Sequence, residues 1–130
     1  MSTVEVETAD LIGPALDWAV AQVEGVKTLM MAPRKGEPKK PFALFGSLAL
    51  SVGGEDQSSY APSTCWHCGG PLIEAYDVSI CHALSSGYVA SSEIGKRVHG
   101  DTRLVAACRA VVLANLGVTV QIPEELTNPA

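Results

Sequence analysis

Aromatic side chains are scarce here, 5% of 130 residues. They are too few to build a core, so Trp18, Trp66, Tyr60, Tyr76 and Tyr88 each call for an explanation of their own. Basic charge is also short, with nine Lys and Arg against fourteen Asp and Glu, a net charge of −5. Phosphate backbones are held by basic surfaces, so this balance disfavours nucleic acid as a partner, including recognition by an α-β-β-β-α double-stranded-RNA module. Long apolar runs are missing too. The longest, Phe42–Val52 and Leu104–Leu116, carry polar interruptions and are too short to span a bilayer. The N-terminal Met1–Glu7 is acidic and lacks the basic stretch and apolar run of a secretory signal. The expectation is a cytoplasmic protein with no membrane partner. In such a chain the four cysteines read as thiols or metal ligands before they read as disulfides.

What is present suits one folded domain over residues 1–130. Hydrophobic residues are 47% and charged residues 18% of the chain, a globular balance, and the length supports one core rather than two. Val4 and Val6 alternate with Glu5 and Glu7, so residues 1–12 read as extended. Gly13-Pro14 opens a helix, since a proline at the first helical position lacks only an N–H that would be unpaired there. Leu16, Ala19, Val20 and Val23 give it an apolar face, and Gly25 closes it. Val26–Ala32 reads as a strand, followed by a basic loop over 33–41 that holds four of the nine basic residues. Phe42–Val52 reads as one strand ended by Gly53-Gly54. Residues 55–71 read as a long loop, with a single helical turn over Leu72–Tyr76.

Val78–Leu84 and Gly87–Ser92 form a hairpin across Ser85-Ser86, and Ile94–Gly100 reads as a connection. Asp101 caps a second main helix over Thr102–Leu116, with Leu104, Val105, Cys108, Val111, Val112 and Leu116 on one face. Gly117 ends it, Val118–Ile122 is a last strand, and 124–130 is a polar tail. The order predicts an α+β fold, a largely antiparallel sheet with two main helices on one face.

Three segments resemble a known family. They are Leu16-Asp17-Trp18-Ala19-Val20-Ala21 with Glu24-Gly25, Tyr60-Ala61-Pro62-Ser63-Thr64-x-Trp66-x-x-Gly69-Gly70-Pro71-Leu72-Ile73, and Ala106-Ala107-Cys108-Arg109-Ala110. Together they resemble the NinX-type family of small phage and prophage accessory proteins, in order from about Leu11 to Pro123. The resemblance implies a phage origin and expression inside a bacterial host, with no activity to carry over. It marks the Thr64–Pro71 segment and the Arg109 helix as distinguishing pieces. The sequence departs from the family pattern at Cys65, His67 and Cys68.

Cys65-Trp66-His67-Cys68 is a CxxC motif, with Cys81-His82 beginning thirteen residues beyond Cys68. Cys65, Cys68, Cys81 and His82 would suffice for a tetrahedral zinc site. The departure from the family pattern speaks against one, since a structural metal should not belong to a single member, and free thiols are the default. A thioredoxin-like role is disfavoured because no βαβ unit surrounds the motif. There is no nucleophile elbow, P-loop, HExxH or paired-carboxylate motif, so catalysis is not expected and no cofactor is implied.

The 63–71 segment instead has the chemistry of recognition. Ser63 and Thr64 supply hydroxyls, Trp66 a stacking face, and Gly69 and Gly70 backbone N–H groups open to an anion. The competing reading is a structural loop with Trp66 plugging the core. Arg109, at the flank of its helix face, reaches either a ligand's anionic group or Asp17, Glu24 or Glu74. Trp18 is core or a pocket wall, and Tyr60 opens the motif. The expectation is a non-catalytic binder that sequesters a small anionic or nucleotide-like ligand, such as a host immune signal, and that associates with its own copies to deepen its pocket. The alternative is a protein-interaction module acting on a host protein.

Overall fold

The computed structural model describes residues 3–32, 35–36, 39–53, 59–84, 86–92 and 96–126. Parts of the basic loop at 33–41, of the 55–71 segment, of the 94–100 connection and of the 124–130 tail lie outside them, as does Ser85 of the hairpin turn. The described residues form three α-helices and eight strands, the strands in three antiparallel sheets. The fold is α+β, as the order of elements predicts.

Strand β1 (Thr3–Glu7) pairs antiparallel with β8 (Thr119–Pro123), placing Val4 opposite Ile122 and Val6 opposite Val120. Between β1 and helix α1 (Gly13–Val23) lies a short 3-10 turn at Thr8–Asp10. Thr8 is buried there, and its Oγ1 donates to the Gly117 carbonyl at 2.6 Å. The two ends of the fold are therefore tied by a side chain as well as by the ladder.

A second sheet is formed by β2 (Lys27–Met31), β3 (Lys40–Phe45) and β4 (Leu48–Ser51). The single strand expected over Phe42–Val52 is in fact the hairpin β3–β4. Phe45 pairs with Leu48 across Gly46-Ser47, and Gly46 has φ +65°, the positive φ that a two-residue hairpin turn demands.

The third sheet is β5 (Ser79–His82), β6 (Tyr88–Ser91) and β7 (Arg97–Gly100). The β5–β6 hairpin agrees with the reading of the sequence, whereas β7 replaces the connection expected there. Helix α3 (Arg103–Leu116) lies on β6 and β7 and also packs against α1 and α2 (Trp66–Ala75). An element covered on two sides has to be apolar almost all round, which explains the run Leu104–Cys108 and Ala110–Val112, all buried. Leu16 and Val20 of α1, Val111 and Val112 of α3, and Ile122 of β8 form the centre of the core.

Helix α2 is the largest departure from expectation. Residues 66–71, read from sequence as loop, make its first six positions, and Pro71 lies inside it. Gly and Pro in a helix interior cost about 1 and about 3 kcal/mol relative to Ala, so the segment scores as loop on local preference. Packing overrides this. A Cβ on Gly69 would stand 2.1 Å from the Pro62 carbonyl oxygen and 2.9 Å from Leu104 Cδ2, so only glycine lets α2 settle on α3. Leu72 is then buried in the core. The helix ends in a Schellman motif: Val78 N–H donates to Ile73 C=O at 2.8 Å and Asp77 N–H to Glu74 C=O at 3.2 Å, with Asp77 at φ +52°. Helix α1 ends in the same way, with Gly25 in the left-handed position.

Candidate functional site

Because both helices begin at the same end of the molecule, the first turns of α2 and α3 wall a groove of about 440 Å³. Its lining comes from Ser63, Thr64 and Trp66 at the start of α2, from Asp101, Thr102, Arg103, Leu104 and Val105 at the start of α3, and from Tyr88 of β6. Thr102, rather than the expected Asp101, caps α3, its Oγ1 accepting from Val105 N–H at 3.1 Å. Helix dipoles place partial positive charge at the two helix starts, where the N–H groups of Val105 and Cys68 are already bonded to Thr102 Oγ1 and to the Cys65 carbonyl.

Arg103 adds a full charge, its guanidinium carbon 4.6 Å from the centre of the Tyr88 ring, which also meets the His82 ring at 5.0 Å, tilted by 39°. Trp66, at the first position of α2, is 55% exposed rather than plugged into the core. Among the described residues Asp101 contributes the one carboxylate of the lining.

Behind this wall lies Asp17, only 1% exposed, whose Oδ1 accepts from Ser63 N–H at 2.7 Å. Burial raises its carboxyl to a pKa of about 6, against the partial relief of its contacts with Ser63. Ser63 Oγ is itself buried beside that carboxyl and, among the described residues, reaches no partner at full hydrogen-bond geometry. Asp17 thus fixes the chain just before α2 to α1, and with it the placing of Thr64 and Trp66. Cys108, buried below, has its thiol pushed well up by burial, with Asp17 adding to the effect.

Of the residues expected to bind, Ser63, Thr64 and Trp66 line the groove. The others lie elsewhere. Arg109 donates from Nε to the Leu11 carbonyl and from Nη1 to the His99 carbonyl, both at 2.8 Å, so its fork clamps the start of α1 and the end of β7 to α3. Gly69 faces Pro62 and Leu104, and Gly70 faces the Trp66 ring. Trp18 is partly buried against the core. Tyr60 packs on Phe45, ring centres 6.0 Å apart, and burial drives its hydroxyl pKa far up.

Of the cysteines and histidine that could have made a zinc set, Cys65 and Cys68 stand at the start of α2 while Cys81 and His82 stand on β5. Among the described residues no three His, Cys, Asp or Glu side chains converge as a metal site.

Reading the sequence missed Arg103, Thr102, Tyr88, Asp101 and the buried Asp17. Arg103 carried a signal: a cation at a helix start opposes the dipole, and such a placement without local benefit marks a position used for something else.

Segments distant in sequence therefore meet around a groove at the surface of a small α+β domain. The profile of the family described as "Bacteriophage P22, NinX" matches residues 7–115, and the chain belongs to that family. No curated protein matches the chain. Among the described residues no helix is long and apolar enough to cross a membrane.

Proposed function

We propose that this phage protein is a non-catalytic binder of a small anionic, nucleotide-like ligand in the groove between α2 and α3, and that it acts by sequestering a host signal of that chemistry. One observation carries the reading: an exposed Trp66 and the Arg103 guanidinium face the same groove, at the N-terminal ends of two helices. Anionic groups favour such helix ends, where N–H groups and the dipole act together. Trp66 provides a flat face on which a base stacks. The Thr64 and Thr102 hydroxyls and the Asp101 carboxylate supply contacts for ribose hydroxyls or base edges. Association with a second copy would close the groove further and belongs to the same proposal.

Calorimetric titration with mononucleotides, cyclic nucleotides and ADP-ribose derivatives tests it. A ligand of this class should bind, and Trp66→Ala and Arg103→Ala should each weaken it by about 1–3 kcal/mol while leaving the melting temperature in place. Arg109→Ala should instead lower the melting temperature, since it leaves two carbonyls without donors. No heat with any member of the panel would sink the reading. The alternative, an interaction module for a host protein, would then lead, supported by the exposed Leu29, Phe45 and Leu48 of the second sheet.

A further inference from the structure

Cys65 and Cys68 occupy two positions that treat a thiol very differently. Cys65 is the residue before the first turn of α2, with extended backbone (φ −114°, ψ 117°) and a partly exposed side chain. A side chain placed there lies beside the N–H groups of the first turn, of which that of Cys68 also donates to the Cys65 carbonyl at 3.1 Å. The N–H of Cys68, then that of His67, hold the Cys65 thiol below its ordinary pKa, although neither reaches full hydrogen-bond geometry.

Cys68, three residues on, turns inward, with Sγ 3.7 Å from the Ser59 carbonyl oxygen. Burial raises its pKa, and the charges of Cys65 and the buried Asp17 oppose its ionisation further. The pair is therefore polarised: both thiols are partly exposed, with that of Cys65 at the helix start held below its ordinary pKa and that of Cys68 turned inward and held above it. The motif, read from sequence as loop, stands at the start of α2.

We propose that Cys65 and Cys68 form a redox-active dithiol that exchanges with a small-molecule disulfide of the glutathione type. The Cys65 thiolate attacks one sulfur of that disulfide, making a mixed disulfide and expelling one thiolate, which takes up the proton Cys65 had released to solvent. Cys68 then attacks the Cys65 sulfur, making the Cys65–Cys68 bond, and its proton goes to the second expelled thiolate. The dithiol is oxidised by two electrons, and the small disulfide is reduced to two thiols. Thiolate fraction and access decide which cysteine attacks, and both select Cys65. Trp66 lies between the two sulfurs in sequence and lines the groove, so oxidation would act on that groove's wall; the exchange itself does not depend on what the groove binds.

The test equilibrates the reduced protein in buffers of rising oxidised-to-reduced glutathione ratio, then quenches, alkylates and weighs the peptides. The Cys65 and Cys68 thiols should vanish together with the loss of two hydrogens, while Cys81 and Cys108 stay open to alkylation after unfolding. Cys68→Ser should stop at a single glutathione on Cys65, and Cys65→Ser should leave Cys68 unmodified. Melting curves of both variants check that they fold. In the reduced parent protein, iodoacetamide at neutral pH should label Cys65 at least about tenfold faster than the exposed Cys81. Equal labelling of Cys65 and Cys81, disulfide-linked dimers in place of the internal bond, or no oxidation in fully oxidised glutathione would each overturn the proposal.

Discussion

Replacing Asp17 by asparagine should make the protein more stable at neutral pH, and by an amount that depends on pH in a calculable way. The carboxyl is 1% exposed and titrates at about 6 when folded, against 3.8 for the ordinary group. Folding therefore strengthens its hold on a proton. Stability is full below pH 3.8, where both states are protonated, declines as pH rises to about 6, and is flat above, where both are ionised. The gap corresponds to about 3 kcal/mol lost across that window, the cost of keeping a carboxylate away from water.

The asparagine side chain of Asp17→Asn would keep an oxygen to accept from Ser63 N–H, and its amide N–H would lie beside the unpartnered Ser63 Oγ. The assay is urea unfolding of parent and variant from about pH 4 to about pH 8, read as the difference between them, so that other titrating groups cancel. The variant's advantage should grow by about 2.5 kcal/mol between the two ends, a relative shift in midpoint of roughly 1–2.5 M urea. A difference that stays flat across the range, or a variant weaker than the parent at neutral pH, would refute the account of Asp17 as a buried, ionised carboxyl.

The remaining predictions concern stability. Gly69→Ala should destabilise by more than about 2 kcal/mol, because the added Cβ meets backbone at Pro62, whereas helix preference alone predicts a gain of about 1 kcal/mol, so the sign of the urea-midpoint change decides between them. Asp77→Gly should stabilise by about 0.5–1 kcal/mol by relieving a left-handed residue at the end of α2, and an unchanged melting temperature would remove that motif from the account. Val111→Asp, which places a charge at a fully buried position of α3, should cost about 4 kcal/mol or more, while Lys35→Asp on the exposed basic loop should change stability by less than about 0.5 kcal/mol; equal melting of the two would place the core elsewhere.

Where the sequence determined structure by itself, the deciding energies were local. Pro14 at a helix start, Leu16, Ala19, Val20 and Val23 at helical spacing, and Gly25 in the left-handed position beyond them define α1 without reference to any distant residue. The same holds for α3 and for the β5–β6 hairpin. Gly46-Ser47 was also a local signal, since glycine before serine suits a two-residue hairpin turn, and the split of 42–52 into β3 and β4 was open to reading there.

Tertiary structure decided the rest, because the energies involved join residues far apart in sequence. Gly69, Gly70 and Pro71 oppose a helix locally, and only the contact of Gly69 with Pro62 and Leu104 and the burial of Leu72 make α2 favourable. Arg109 looked available for a ligand until the fold brought it the carbonyl of Leu11, ninety-eight residues away. Asp17, an ion-pair candidate for Arg109 in the sequence, is instead buried and accepts from the N–H of Ser63, forty-six residues on. The groove itself has no sequence signature as a whole, for Trp66, Tyr88 and Arg103 sit on separate elements and meet only when α2, β6 and α3 are packed together.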